Sequence, residues 1–254
     1  MKASNIIYAI LTSLCIVSCA HKSGHNRPQA SSHSGNTEMR DSQSSNVTRG
    51  GQRNLDVTIS NNRGDKNKLD GSKIFAKYNT AVFMVFTSDG YNGYQGSGFF
   101  INSDGLAVSN YHVFHGTNIG AEQIKLANSD EVYKVAEVIH SDADEDFILF
   151  RVSASNTSYI PIAKYKPQVG EKVYAIGSPR GLENTFSSGE VSQWRDKNLM
   201  QISALIDHGS SGGALINEYG EVVGITSGSF ADGSQANLNY AWSIDAIKPY
   251  IQSK

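Results

Sequence analysis

Gly209-Ser210-Ser211-Gly212-Gly213-Ala214-Leu215 is the stretch on which the reading of this chain turns. Glycines on both sides of a serine let the backbone turn tightly and let a substrate carbonyl come close. Two amides of such a loop, here those of Gly209 and Ser211, can converge on one oxyanion. Apolar runs at residues 199–205 and 214–226 bracket the loop, so it is held between strands. The spacing of Gly209, Ser211 and Gly213 also fits a nucleophile elbow, in which a helix follows the serine and a histidine lies downstream. No histidine follows Ser211, and a hairpin with the turn Asn217-Glu218-Tyr219-Gly220 comes next instead. A general base for Ser211 must therefore lie upstream.

Upstream, Asn110-Tyr111-His112-Val113 closes an apolar strand, a place from which a base can reach another element. His115, His140 and His208 compete with His112. His140 precedes a polar turn, and His208 is three residues from Ser211, too close in an extended loop to face it. Between the two motifs stands Ser141-Asp142-Ala143-Asp144-Glu145-Asp146, followed by Phe147-Ile148-Leu149-Phe150. Asp146 abuts the apolar run and is the carboxylate drawn inward, while Asp142 and Asp144 suit a solvated turn. A buried carboxylate that accepts from an imidazole fixes its tautomer and stabilises the imidazolium. The candidate set is His112, Asp146 and Ser211, in that order along the chain.

Working outward, twelve short apolar runs fill the second part of the chain, with turn signals about every 8–12 residues. They cover residues 81–87, 94–102, 106–110, 123–127, 132–140, 147–152, 172–176, 186–194, 199–205, 214–217, 221–226 and 238–243. Helical patterning is convincing only at residues 244–251. Strands without alternating helices argue for an all-β sandwich or barrel. The 254 residues are 39% hydrophobic and 18% charged, which excludes a wholly disordered chain. A net charge of -2 gives no sign of a nucleic-acid partner. The two cysteines, Cys15 and Cys19, lie near the N-terminus, so the body holds no disulfide, no cysteine zinc site and no thiol nucleophile. The chemistry read here needs no metal or cofactor.

These residues resemble the trypsin-like peptidase domain of the bacterial HtrA/Deg type. The matching pieces are Gly96-Ser97-Gly98-Phe99, Ser109-Asn110-Tyr111-His112-Val113, Asp146-Phe147-Ile148-Leu149, Ala175-Ile176-Gly177-Ser178-Pro179 and the loop from Gly209 to Leu215. The resemblance implies two packed six-stranded antiparallel β-barrels of chymotrypsin-like fold, at about residues 72–155 and 160–245, with a short C-terminal helix. It implies a serine endopeptidase acting on polypeptides, with catalytic His112, Asp146 and Ser211 and the amides of Gly209 and Ser211 as oxyanion hole. Counting six residues back from Ser211 puts Leu205 at the floor of the primary pocket, which would favour small or medium aliphatic side chains, whereas a small shift of the loop would aim Asp207 into the pocket and favour basic ones. The alternatives are an inactive peptide-binding module on the same fold and a glutamyl endopeptidase, whose usual Ser-Gly-Ser differs from Ser211-Gly212-Gly213. The chain is expected to lack a PDZ domain. Residues 20–70 carry no aromatic residue for a trimer contact, so the oligomeric state stays open. Ser210 stands where digestive relatives have an aspartate that pairs with a new N-terminus, so activation by N-terminal insertion is not expected.

The first residues read differently. Residues 1–18 fit an export signal, with Lys2 before a short apolar run, and Ile16-Val17-Ser18-Cys19 resembles the bacterial lipoprotein box. That resemblance implies acylation of Cys19 and stable anchoring by several acyl chains. Ala20 after Cys19 points to the outer membrane, with the protein facing the periplasm or the surface. Residues 19–70 read as a disordered polar tether with eight basic and five acidic side chains. The peptidase domain is expected over residues 71–254.

Overall fold

The computed structural model describes residues 55–178, 184–230 and 238–253. The expected signal segment, Cys19 and the tether up to residue 54 lie outside the described residues. The described part starts with β1 (Asp56–Val57), β2 (Ile59–Ser60) and helix α1 (Gly71–Tyr78). Next come β3 (Val82–Ser88), β4 (Gly93–Phe100) and β5 (Leu106–Ser109), then a one-turn helix α2 (Tyr111–Phe114). They are followed by β6 (Gln123–Leu126), β7 (Val132–Tyr133), β8 (Val135–Asp142) and β9 (Phe147–Val152). Strands β3 to β9 pair antiparallel in the order β7-β6-β3-β4-β5-β9-β8.

Residues 153–161 lead into the second sheet. It contains β10 (Ile162–Ala163), β11 (Lys172–Gly177), β12 (Thr185–Trp194), β13 (Leu199–Ile202), β14 (Ala214–Asn217), β15 (Val222–Phe230) and β16 (Leu238–Ser243). The order β14-β11-β12-β13-β16-β15 closes on itself because β15 also pairs with β14. This is the chymotrypsin-like arrangement, with one closed six-stranded barrel and one curled half-barrel. In the half-barrel a side chain ties the start of β6 to the start of β8. The Glu122 carboxylate, 1% exposed, accepts from Gly120 N and Val135 N at 2.6 Å each. Two charge-assisted bonds make that buried carboxylate tolerable. Residues Ile244–Tyr250 form 3₁₀ turns, the short C-terminal helix, started by Ser243 Oγ accepting from Asp245 N at 3.2 Å.

Apolar side chains on both faces of the strands explain why the sequence reads as apolar runs and not as clean alternation. One face of β4, β5 and β9 sends Phe99, Val108 and Leu149 into a core shared with Ile176, Ile216 and Ile225 of the second sheet. The other face fills the half-barrel with Phe83, Phe100, Phe114 and Phe150, and the Phe83 and Phe100 rings lie 4.7 Å apart. Met200, Ile202, Leu215 and Val223 fill the closed barrel.

The expected tether boundary at residue 70 is corrected by the structure, in which residues 55–70 belong to the folded body. β1 pairs parallel with β17 (Gln252–Ser253), and β2 pairs parallel with β10. Val57 is buried, and Leu55 and Ile59 pack on the shared core. Asn62 N donates to the buried Glu221 carboxylate at 2.7 Å. Leu55, Val57 and Ile59 alternate with polar residues, a strand signature hidden by the polar composition around it. Asp70 then caps α1, its Oδ1 accepting from Lys73 N at 2.9 Å, and α1 buries Ile74 and Tyr78 one turn apart.

A chain starting at residue 65 should therefore melt about 10 °C below one starting at residue 55. Burying an aliphatic side chain is worth about 1.5–3 kcal/mol, and each kcal/mol moves the melting temperature of a domain this size by about 2–4 °C. Equal melting temperatures in a thermal scan would mean that the segment adds nothing to the body.

Candidate active site

His112 and Asp146 meet across the half-barrel. β5 ends at Ser109, and Asn110 opens α2, which carries His112 in its first turn. The histidine was expected at a strand end. It sits on a helical turn instead, because Val113 and Phe114 must turn inward to reach the half-barrel core. Asp146 stands just before β9 in the left-handed region, φ 45°, after a turn in which Asp142 Oδ1 accepts from Asp144 N and Glu145 N at 2.8 and 2.9 Å. That conformation is uncommon for a residue with a side chain, and Asp and Asn tolerate it best.

The imidazole Nδ1 lies 2.8 Å from Asp146 Oδ2 and 3.1 Å from Oδ1. His112 N also donates to Oδ1 at 3.0 Å, so the carboxylate caps the helix that bears its partner. Ser227 Oγ donates to Oδ2 at 2.8 Å. Asn110, fully buried, donates its side-chain amide to the Asp146 carbonyl at 2.8 Å and so helps hold the left-handed turn. The His112 side chain is 50% exposed and that of Asp146 14%. Burial works against the imidazolium, and the hydrogen bond and charge of Asp146 outweigh it, so His112 titrates above the usual imidazole value.

The other histidines are used elsewhere. His140 stacks on Tyr250 with ring centroids 3.6 Å apart, His115 meets Tyr111 Oη at 2.9 Å, and His208 is exposed on the serine loop. Among the described residues no three His, Cys, Asp or Glu side chains are grouped so as to hold a metal, and no helix is long and apolar enough to cross a membrane.

Ser211 follows a loop that turns at Gly209, φ 92°, and leaves through Gly212, φ 88°. A Cβ at Gly212 would meet Ser97 O at 2.2 Å and Ser109 Oγ at 2.4 Å, so only glycine lets the loop press against β4 and the end of β5. The same β15 segment touches both halves of the site. Ser227 bonds Asp146, and a Cβ on Gly228 would lie 3.5 Å from Ser211 Oγ. Neither Gly209 N nor Ser211 N donates a hydrogen bond among the described residues, which leaves both available to an oxyanion. His112 Nε2 is likewise unbonded among the described residues, as is common before substrate tightens a catalytic hydrogen bond.

A cavity of about 450 Å³ lies beside this loop, lined by Ile176, Phe186, Ile206, Ser210, Thr226 and Asn239 among others. Leu205, expected as its floor, lines the cavity but is 67% exposed, whereas its neighbour Ile206, also in the lining, is 7% exposed. The reason is pleat parity. Burial continues to alternate beyond β13, with Met200, Ile202, Ala204 and Ile206 buried and Ser203, Leu205 and Asp207 exposed.

A curled half-barrel packed on a closed barrel, with histidine, aspartate and serine carried on three segments, defines the chymotrypsin-like class. The chain belongs to the trypsin-like peptidase domain family, on its HtrA side, for a profile of that domain matches residues 96–225, just over half of the 254. Serine protease HTRA2, mitochondrial, of Drosophila grimshawi is 29% identical over 215 residues, 77% of this chain and 49% of the relative. Protease Do-like 1, chloroplastic, of Arabidopsis thaliana is 29% identical over 167 residues, 60% of this chain and 37% of the relative. The chain thus spans half or less of the length of these curated relatives. Among solved structures, the serine endoprotease from Yersinia pestis superposes with a TM-score of 0.64 at 26% identity, covering 71% of this chain and 65% of that one. The HtrA-type protease AlgW, at 20% identity, TM-score 0.61, 70% of this chain and 61% of that one, supports the fold alone.

Proposed function

We propose that the protein is a serine endopeptidase that cleaves polypeptides through an acyl-enzyme. The observation that carries the reading is the His112–Asp146 pair beside a serine loop with two amides that donate to no acceptor among the described residues. Ser211 Oγ attacks the scissile carbonyl while His112 takes its proton, and Asp146 stabilises the imidazolium. The amides of Gly209 and Ser211 hold the oxyanion. His112 returns the proton to the leaving amine. Water, deprotonated by the same imidazole, then releases the acyl group and restores Ser211.

The cavity beside the loop serves as the primary specificity pocket in this reading. The buried lining residue Ile206 offers no charge, and Asp207, the carboxylate of the described lining, is exposed and accepts from His208 N, so a Lys or Arg side chain reaching Ile206 would lose hydration without a partner there. Cleavage should follow Val, Ala or Ile, with soft discrimination of about 1–3 kcal/mol per methylene. The test is casein digestion and a mixed peptide library, with a fluorophosphonate to label Ser211. Ile206→Asp should turn the preference toward Lys and Arg, and Leu205→Asp should change it far less. Casein left intact and Ser211 left unlabelled would support a peptide-binding module instead, and wild-type cleavage after Glu would support a glutamyl endopeptidase.

The same proposal places the protein in a bacterial envelope, anchored through acylated Cys19, with the outer membrane favoured by Ala20. Unfolded envelope proteins are the substrate class. In detergent phase partitioning the wild type should enter the detergent phase and Cys19→Ser the aqueous phase. Equal partitioning of the two, with the signal shown to be removed, would sink the anchor.

A further inference from the structure

Two buried residues outside the proton-transfer chain hold every carbonyl of the Gly209-Ser210-Ser211 tripeptide, two of them through side-chain hydroxyls and the third through a main-chain amide. Ser97, on β4 of the half-barrel, donates its Oγ to Gly209 O at 2.7 Å and its N to Ser211 O at 2.8 Å. Its own Oγ accepts from Ser178 N at 2.9 Å, and its carbonyl accepts from Ser109 Oγ at 2.6 Å. Thr226, on β15 of the closed barrel, donates Oγ1 to the middle carbonyl, Ser210 O, at 2.7 Å. Both residues are buried.

The consequence follows from the planarity of the peptide. In a trans peptide the carbonyl of one residue and the N–H of the next point in opposite directions. Fixing Gly209 O on Ser97 turns Ser210 N–H toward Asp207 O, 2.9 Å away. Fixing Ser211 O on the Ser97 amide turns Gly212 N–H to Thr226 O at 2.7 Å. Fixing Ser210 O on Thr226 turns Ser211 N–H the other way, and it is the one of the three that meets no acceptor among the described residues. A glycine at φ 92° imposes little restraint of its own, so the direction of these planes depends on the groups that hold the carbonyls.

We infer that Thr226 and Ser97 are positioning residues of the oxyanion hole, Thr226 by aiming the Ser211 amide and Ser97 by fixing the flanks of the tripeptide. The inference rests on the peptidase reading above. Ser97 is not among the residues lining the cavity, and Thr226, which does line it, commits its hydroxyl to Ser210 O. Pre-aimed donors need no reorganisation when the oxyanion forms, which is where such sites gain their rate. Gly213 N also donates to Ser210 O, at 2.9 Å, so that carbonyl keeps one partner in Thr226→Val and the fold should survive.

The experiment measures kcat and KM on a fluorogenic peptide with Val before the cleaved bond, for wild type, Thr226→Val, Thr226→Ser and Ser97→Ala. It adds the inhibition constant of the matching peptide aldehyde, whose adduct with Ser211 fills the oxyanion hole. Thr226→Val should lower kcat about 10- to 100-fold, less than the about 10²–10³ typical for losing a donor outright, with KM changed under about threefold. Aldehyde affinity should fall by a similar factor, Thr226→Ser should recover most of both losses, and Ser97→Ala should act in the same direction. The acid limb of the pH profile should stay in place, because His112 and Asp146 are untouched. Wild-type kcat in Thr226→Val and Ser97→Ala would overturn the inference. So would a loss that Thr226→Ser does not restore, or one carried by KM or by a moved acid limb. If Thr226→Val loses cooperative melting, Ser97→Ala decides by the same criteria. An inactive wild type overturns the peptidase reading and this inference with it, whereas an active wild type with indifferent variants overturns the inference alone.

Discussion

Ser211→Ala should lower peptide-bond turnover by about 10⁴–10⁶ while the protein melts where the wild type does. The two halves of that expectation come from different atoms. Oγ is the group that bonds to the scissile carbon, and the neighbouring Ser210 is packed against Gly177 in the wall of the cavity. The main chain at Ser211 is held independently of the side chain, by Ser97 N on its carbonyl and by Gly213 N and Thr226 Oγ1 on the carbonyl before it. Alanine keeps all of these bonds. The weak activity that remains would come from the oxyanion donors and from substrate positioning. Casein digestion and a thermal scan of the same sample check both halves. Near wild-type digestion would show that another residue is the nucleophile, and a large drop in melting temperature would show that the hydroxyl is structural.

Asp146→Asn should lower kcat by about 10⁴ and shift the acid limb of kcat/KM to lower pH. Asparagine adopts the left-handed conformation at φ 45° as readily as aspartate, so the turn should persist. Its Oδ1 can still accept from His112 N. Its Nδ2, however, presents N–H to an imidazole nitrogen that now donates to a carboxylate. The ring then takes the other tautomer, with the proton on Nε2, and cannot accept from Ser211.

The direction of the pH shift follows from the causes acting on His112. Burial lowers its pKa, and the hydrogen bond and charge of Asp146 raise it by more. Catalysis needs the neutral ring, so wild-type activity is lost as pH falls through that raised value. Without the carboxylate charge only burial remains, and the ring stays neutral to lower pH than an ordinary imidazole. A pH series of kcat/KM for both proteins gives the answer. An acid limb that stays in place would separate Asp146 from the titration of His112.

Most of the strand pattern was legible in the sequence because a strand announces itself locally. Residues 147–152 and 214–217 were expected as strands and are β9 and β14 without change, bounded by a turn of aspartates and by a glycine loop. The elements that were not legible are those whose stability comes from a distant partner. β1, β2 and β10 are two residues each, too short for a periodicity, and exist because β17, β10 and β15 offer them an edge. α1 carries only two buried residues, and its cap Asp70 lay in a stretch dominated by polar residues.

The site divides along the same line. Residue types and chain order marked His112, Asp146 and Ser211, and the glycines at 209, 212 and 213 marked a loop that must turn sharply near other backbone. These are local facts, carried by chemistry and by the absence of a Cβ. Only the tertiary structure could bring a helical turn after β5, a left-handed residue before β9 and a loop before β14 to one place, since 34 residues separate His112 from Asp146 and the sheets decide what crosses that gap. It alone decided that, of the two neighbours lining the cavity, Ile206 is the buried one and Leu205 the exposed one, because alternation along the chain depends on where β13 begins its pleat. It alone showed one hydroxyl from each barrel fixing the loop between them, since hydrogen bonds from Ser97 to Gly209 and from Thr226 to Ser210 span 112 and 16 residues and leave no periodic trace in the sequence.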